Sequence, residues 1–412
     1  MEIVYKIKEN FAKINEFNFA YIYVFLWILY SVLPFVYNST GLLNLLLYFF
    51  ASTALFYSFF ILTHLQLNFY FRILFLFVFI LSIYGFELML VGDNVFWQHV
   101  GSFIEKNRFV LWLYTSLLTI SPMYVFSIKG YIGNREMRIF FFIMLAACIY
   151  DFYGSIKLYE KIAALRGLTQ EEFTITNVYS FLSILPLLVL FKKRLFLQMI
   201  LLSVMLVYFI LSAKRGAIFI GGACSLILIF SSFSKMTNAK KIEYLLLVLC
   251  LFVGVYEFVV NQMENNAYFT YRIDQTLSGY TSGRDEYFRN ILDYFENRTS
   301  LSQFLIGIGA QGTLSVNYSF AHNDWLAILL EHGLLGLLLY IFYWIGFVCT
   351  CIKYRYNQEC FLALVLLLMI GLGKSFFSMY YLPVSQEMIM SSGYYALVLG
   401  FFLAKAYPQQ TL

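Results

Sequence analysis

Residues 70–91 read YFRILFLFVFILSIYGFELMLV, an apolar run broken only by the charges of Arg72 and Glu87. A helix rises about 1.5 Å per residue, so a run of this length covers the ~30 Å of hydrocarbon in a bilayer. Eleven other stretches have the same character. With this one they lie at 19–37, 41–62, 70–91, 110–126, 139–153, 174–191, 196–212, 216–233, 244–260, 324–350, 361–381 and 384–404. The expectation is an all-α, polytopic integral membrane protein of about twelve transmembrane helices, with residues 1–412 forming one membrane domain.

Composition agrees. Hydrophobic residues make up 61% of the chain and charged residues 12%, against about 25% charged in soluble domains. A water-soluble core cannot absorb so much apolar surface, whereas lipid can. The net charge of +5 is small, and no nucleic-acid partner is expected. The cysteines (Cys148, Cys224, Cys250, Cys349, Cys351 and Cys360) fall in apolar spans or beside basic loops. They read as free thiols, not disulfides or metal ligands. Residues 1–16 carry six charges with no small-residue cleavage site after them, which predicts a cytoplasmic lead-in to a retained first helix.

Basic residues set the orientation. With the N-terminus inside, the inner segments hold Lys6, Lys8, Lys13, Arg72, Lys129, Arg135, Arg138, Lys192, Lys193, Arg194, Lys235, Lys240, Lys241, Lys353, Arg355 and Lys405, 16 of the 28 Lys and Arg. An even number of spans returns the C-terminus to the same side. One outer turn breaks the trend: Ala213-Lys214-Arg215-Gly216 places two cations outside. A violated rule is where function is to be sought.

Residues 261–321 have soluble character and form one large outer loop. Ser282 and Asp285 fit a capping box at the start of a helix over 283–297,. Tyr287, Phe288, Ile291, Leu292 and Phe295 would form its apolar stripe, with Arg284 and Arg289 in its first two turns,. Asn297-Arg-Thr299 matches a glycosylation sequon and is read as chance.

Gly307-Ile-Gly309-Ala-Gln-Gly312 has the spacing of a dinucleotide loop but lacks βαβ surroundings,. It reads as a tight turn for close backbone packing, or as backbone amides that help cradle an anion. His64, His99 and His332 have no evident chemical partners. His322, in Phe320-Ala-His-Asn-Asp-Trp325, stands at the outer start of the tenth span. The partial positive charge of a helix N-terminus would keep its ring neutral and able to accept a proton. Glu87, Asp151, Glu257, Glu331, Lys374 and Glu387 are intramembrane charges, each costing about 2.5–3.5 kcal/mol at a helix centre on insertion scales. Asp151, Lys374 and Glu387 lie near outer span ends and could share a cavity with Lys214 and Arg215.

Four segments in this order and topology resemble the O-antigen polymerase and O-antigen ligase superfamily. They are Ser212-Ala-Lys-Arg215-Gly-Ala, Thr281-Ser-Gly-Arg284-Asp, Leu305-Ile-Gly-Ile-Gly309 and His322-Asn-Asp-Trp-Leu-Ala-Ile-Leu-Leu-Glu331-His-Gly333-Leu-Leu-Gly336. The resemblance implies cytoplasmic termini in a bacterial inner membrane and an active site facing the periplasm. It implies a glycosyltransferase using an undecaprenyl-pyrophosphate-linked oligosaccharide, with no metal and no cofactor. Arg215 and Arg284 match the family's pyrophosphate-binding arginines, and His322 matches its acceptor-activating base. Lys214 departs from the pattern, and it and Arg289 are added as candidate phosphate contacts. Membrane lipid, a flippase and a chain-length regulator are the implied partners.

The chemistry is consistent with that family. Arginine is always charged and bidentate toward phosphate, and a neutral histidine suits proton removal from an attacking hydroxyl. Polymerisation of lipid-linked repeat units is favoured over ligation of polymer to lipid A core. A lipid-linked oligosaccharide flippase or other transporter is the competing class. Such proteins often show two related halves; Pro186 interrupts one span, but no matching half is visible.

Overall fold

The computed structural model describes residues 2–36, 40–91, 108–166, 178–233, 238–265, 267–278, 284–317, 320–382 and 386–406. Among them every regular element is helical. The first nine are α1 (Glu2–Val36), α2 (Thr40–His64), α3 (Phe69–Val91), α4 (Arg108–Ile128), α5 (Asn134–Arg166), α6 (Val178–Phe191), α7 (Leu195–Leu211), α8 (Arg215–Phe233) and α9 (Asn238–Asn265). Four shorter helices follow in the large loop: α10 (Ala267–Leu277), α11 (Arg284–Asn297), α12 (Leu301–Ile306) and α13 (Gly312–Asn317). The chain closes with α14 (Asp324–Lys353), α15 (Gln358–Phe377) and α16 (Gln386–Ala406). Ten of these helices are long and apolar enough to cross a membrane, and α6 and α7 are shorter apolar helices. Each of the twelve expected stretches thus coincides with a helix over its described residues, apart from the end of the eleventh. The loop starts a few residues late because α9 runs to Asn265.

Burial orders the bundle. The spanning windows of α4 and α16 are each 89% buried and form its centre, whereas that of α9 is 11% buried and lies at the rim. Phe56, Phe79, Phe219 and Phe230 point outward on α2, α3 and α8, a distribution that lipid tolerates and water does not. A small separate core joins α9 to its neighbours: Val255, Phe258 and Val259 pack on Ile210, Ala213 and Phe269. All six cysteines are free.

The span ends form two sets. At one end Glu359 pairs with Lys192 at 2.9 Å and with Lys405, and Lys129 pairs with Glu16 at 2.7 Å. The loop helices and the Lys214–Arg215 turn belong to the other end. The positive-inside rule predicts that the lysine-rich end faces the cytoplasm. In a cysteine-free background, Leu301→Cys, 76% exposed on α12, should therefore react with an impermeant maleimide in intact cells. Reaction only after lysis would reverse the orientation.

Two local features depart from expectation. The eleventh span, read as 361–381, ends as a helix at Phe377. Residues 378–382 continue as buried, non-helical chain. Backbone without helical partners is tolerated in a membrane protein only where protein groups satisfy it. Here Asp324 Oδ2 accepts from the amides of Tyr380 and Tyr381 at 2.8 and 3.2 Å. Ser116 Oγ donates to the Tyr381 carbonyl at 3.0 Å, from a π-helical turn at Tyr114–Leu118 within α4. The second departure is in the loop. Ser282, with its expected cap, lies outside the described residues, as does His99. A capping box does occur, at Ser300 and Gln303, where it opens α12. On α11 Ile291 is buried and Tyr287, Phe288, Tyr294 and Phe295 are half-buried, but Leu292 faces out, so the stripe turns toward Tyr294.

Candidate functional site

The tenth span is one hydrophobic segment in sequence but two helical pieces in space. Gly333 has φ +64° and ψ −167° inside α14. A break there leaves the carbonyls one turn back without i+4 amides. The Gly307–Gly309 turn supplies replacements: the amide of Ile308 donates to the Leu330 carbonyl and that of Gly309 to the Glu331 carbonyl, each at 3.0 Å. The two backbones are so close that a Cβ on Gly307 would stand 2.2 Å from the Glu331 carbonyl oxygen, and one on Gly333 2.5 Å from the Gly307 nitrogen. The tight-turn interpretation of this glycine motif holds, and the amides of Ile308 and Gly309 are engaged by protein carbonyls. The Glu331 carboxylate is buried at the break, accepting from Thr313 Oγ1 at 2.7 Å and Tyr381 Oη at 3.0 Å. His332 beside it is fully buried, its ring 4.6 Å from that of Tyr84.

The upper piece of α14 begins against the end of α15. Asn323 is the N-cap, its Oδ1 accepting from the Leu326 amide at 3.1 Å. Trp325 Nε1 donates to Ser375 Oγ at 3.1 Å, and its ring stacks on Phe376 at 5.1 Å. Arg284, at the start of α11, donates from Nη1 to the Phe377 carbonyl at 2.9 Å. Gly216, next to Arg215 at the start of α8, faces the same residue; a Cβ there would lie 3.0 Å from Phe377 Cβ and 2.9 Å from Tyr179 Oη. Lys214 Nζ lies 5.5 Å from the Tyr179 ring centroid. The turn before α8, the start of α11 and the start of α14 therefore converge on residues 375–377.

His322 sits half-buried in this cluster. Burial, and then the charges of Arg284 and Lys214, lower its pKa to about 4. The ring is neutral at physiological pH, as expected, but desolvation and two cations, not the helix terminus, hold it so. His322, Ala213 and Gln311 all have positive φ (50°, 49° and 62°), as no other described non-glycine residue does. Non-glycine residues enter this region at a cost of about 1–2 kcal/mol, and such strain concentrates at functional sites. Two of the three residues flank or are the candidate groups themselves.

The structure thus brings together His322, Arg284, Lys214 and the backbone that carries Arg215. Arg289 is exposed on α11, about 140° around the helix from Arg284, and is not drawn into the cluster. Asp324 directs its carboxylate to the Tyr380 and Tyr381 amides and to Tyr340 Oη at 3.1 Å, which makes it an anchor for the non-helical segment. Tyr179 was not legible as a site residue, since one tyrosine among 34 carries no signal.

Residues 178–341 match a family model described as O-antigen ligase. Comparison with curated proteins finds no match. The matched stretch, less than half of the chain, contains Arg215, Arg284, His322 and the Gly307–Gly333 contact; over it the chain is similar to the O-antigen ligase family.

Proposed function

We propose that this protein polymerises undecaprenyl-pyrophosphate-linked oligosaccharide repeat units at the periplasmic face of the inner membrane. The observation that carries it is a neutral imidazole, His322, within the electrostatic reach of Arg284 and Lys214. In this scheme the acceptor sugar hydroxyl attacks the anomeric carbon and gives its proton to His322. The anomeric C–O bond to phosphate breaks, and lipid pyrophosphate leaves with one more negative charge. Arg215 and Arg284, with Lys214, stabilise that charge near the lipid interface, where it is worth more than in water. Arg289 is left to the loop surface.

The arginines provide the test. Arg284→Ala and Arg215→Ala should each lower transfer and weaken lipid-pyrophosphate binding, and Lys at either position should restore only part, because it keeps the charge without the planar fork. Full activity of both alanine variants at normal protein levels would remove these residues from the mechanism.

Ligation of finished polymer to a lipid A core is the second reading, favoured by the description of the matched family. Deleting the gene and resolving surface polysaccharide on a gel separates the two. A single repeat on the core marks a polymerase. No repeat on the core, with polymer kept on the lipid carrier, marks a ligase.

A further inference from the structure

Lys374 is 2% exposed, one turn before Phe377 on α15. Its Nζ donates to Ser391 Oγ at 2.8 Å and lies 5.9 Å from the centroid of Tyr179, the same ring that Lys214 approaches. An ammonium has three N–H donors. Among the described residues one is used, and no carboxylate lies within ion-pair distance of Nζ. The charge of Asp324 reaches Lys374 only from beyond ion-pair distance: Asp324 Oδ2 accepts from the Tyr380 and Tyr381 amides and from Tyr340, and its Oδ1 has no hydrogen-bond partner among the described residues. Ser391 is itself fixed, since its carbonyl accepts from Ser183 Oγ at 2.7 Å. A buried cation with so little compensation is a burden on the fold unless an anion joins it.

We infer that Lys374 is a ligand-binding residue, the deep cation for the pyrophosphate of the lipid-linked glycan. Lys374 and Lys214 approach the same Tyr179 ring, and Gly216 faces both the Tyr179 hydroxyl and Phe377, so Lys374 adjoins the cluster described above. Its flexible four-carbon stem lets Nζ leave Ser391 and reach past Tyr179 to a phosphate oxygen. Arg215 and Arg284 hold the outer phosphate, and Lys374 meets the charge that grows on the leaving group.

This inference rests on the pyrophosphate reading of the site, and its test separates the two. Full-length protein in lipid nanodiscs is titrated with farnesyl pyrophosphate, and thermal midpoints are recorded with and without it. Lys374→Met keeps the length of the side chain and removes the charge. Its affinity for the probe should fall by at least about tenfold, as expected for loss of a charge-assisted hydrogen bond. Its midpoint without probe should equal or exceed that of the native protein, because an uncompensated charge has gone. A structural lysine gives the opposite pattern. Unchanged affinity, a lowered midpoint without probe, or failure to fold would each overturn the inference. Arg284→Ala is the companion. If it loses probe binding while Lys374→Met keeps it, only the role of Lys374 falls. If Arg284→Ala binds normally, the pyrophosphate reading falls and Lys374 with it.

Discussion

Replacing His322 with alanine should slow glycan transfer by about 10²–10⁴-fold, the usual worth of a general base, while leaving lipid-pyrophosphate affinity unchanged. The assay is polymer formation by purified variants on lipid-linked repeat units, with binding measured in parallel. Wild-type turnover would end the base assignment; loss of both turnover and binding would make His322 a binding or folding residue. His332→Ala is a poor control, since that side chain is fully buried against Tyr84 and its removal opens a cavity. His64, exposed at the end of α2, serves better. A pH profile adds a second check. With a pKa of about 4 in the free protein, the acid limb of kcat/KM should lie well below the ordinary imidazole value. Bound pyrophosphate offsets Arg284 and Lys214, the two cations that lower this pKa, so the acid limb of kcat should lie at higher pH than that of kcat/KM. That rise also strengthens the base, which is a weak one while its pKa stays near 4. Coincident limbs at ordinary imidazole pH would mean that the cations do not act on His322.

Gly307→Ala should be the most destabilising single-methyl addition in the loop. Its φ is +84°, and the new Cβ would meet backbone at 2.2 Å, where no side chain can swing away. Left-handed strain and overpacking together put the cost at about 3 kcal/mol or more. The readout is a lowered thermal midpoint and faster proteolysis of the loop, with lost activity following. Gly309→Ala is the comparison: φ is +100° but the space is open, so only the backbone term, of order 1–3 kcal/mol, applies. Equal stability of the two variants would mean that the docked turn does not hold the break in α14 in place.

The spans were legible because the bilayer sets one length and one polarity for every crossing, and that constraint is written in runs such as 70–91. The bends within them were not. His332-Gly333-Leu-Leu is as apolar as an unbroken helix would be, and Met379-Tyr-Tyr-Leu382 is as apolar as a continuing one. What diverts each is a distant partner, the Gly307 turn in one case and Asp324 in the other. The Lys214–Arg215 turn was found because it violates a charge rule, and His322 because it heads a span. Lys374 could be seen as an intramembrane charge, but its companions come from α6 and α16, and helical periodicity does not reveal which neighbours a side chain meets.

The weak burial of α9 has a consequence for the cations. A span solvated mainly by lipid takes its tilt and depth from the thickness of the surrounding hydrocarbon, and mismatch is relieved by tilting it. Val255, Phe258 and Val259 of that span pack on the small core that includes Ala213, the residue before Lys214. Hydrophobic mismatch should thereby pass from the rim of the bundle to the turn that carries two of the candidate site's cations. Acyl-chain length would in this sense be a coordinate of the candidate site, and activities of variants compare fairly only in bilayers of one thickness.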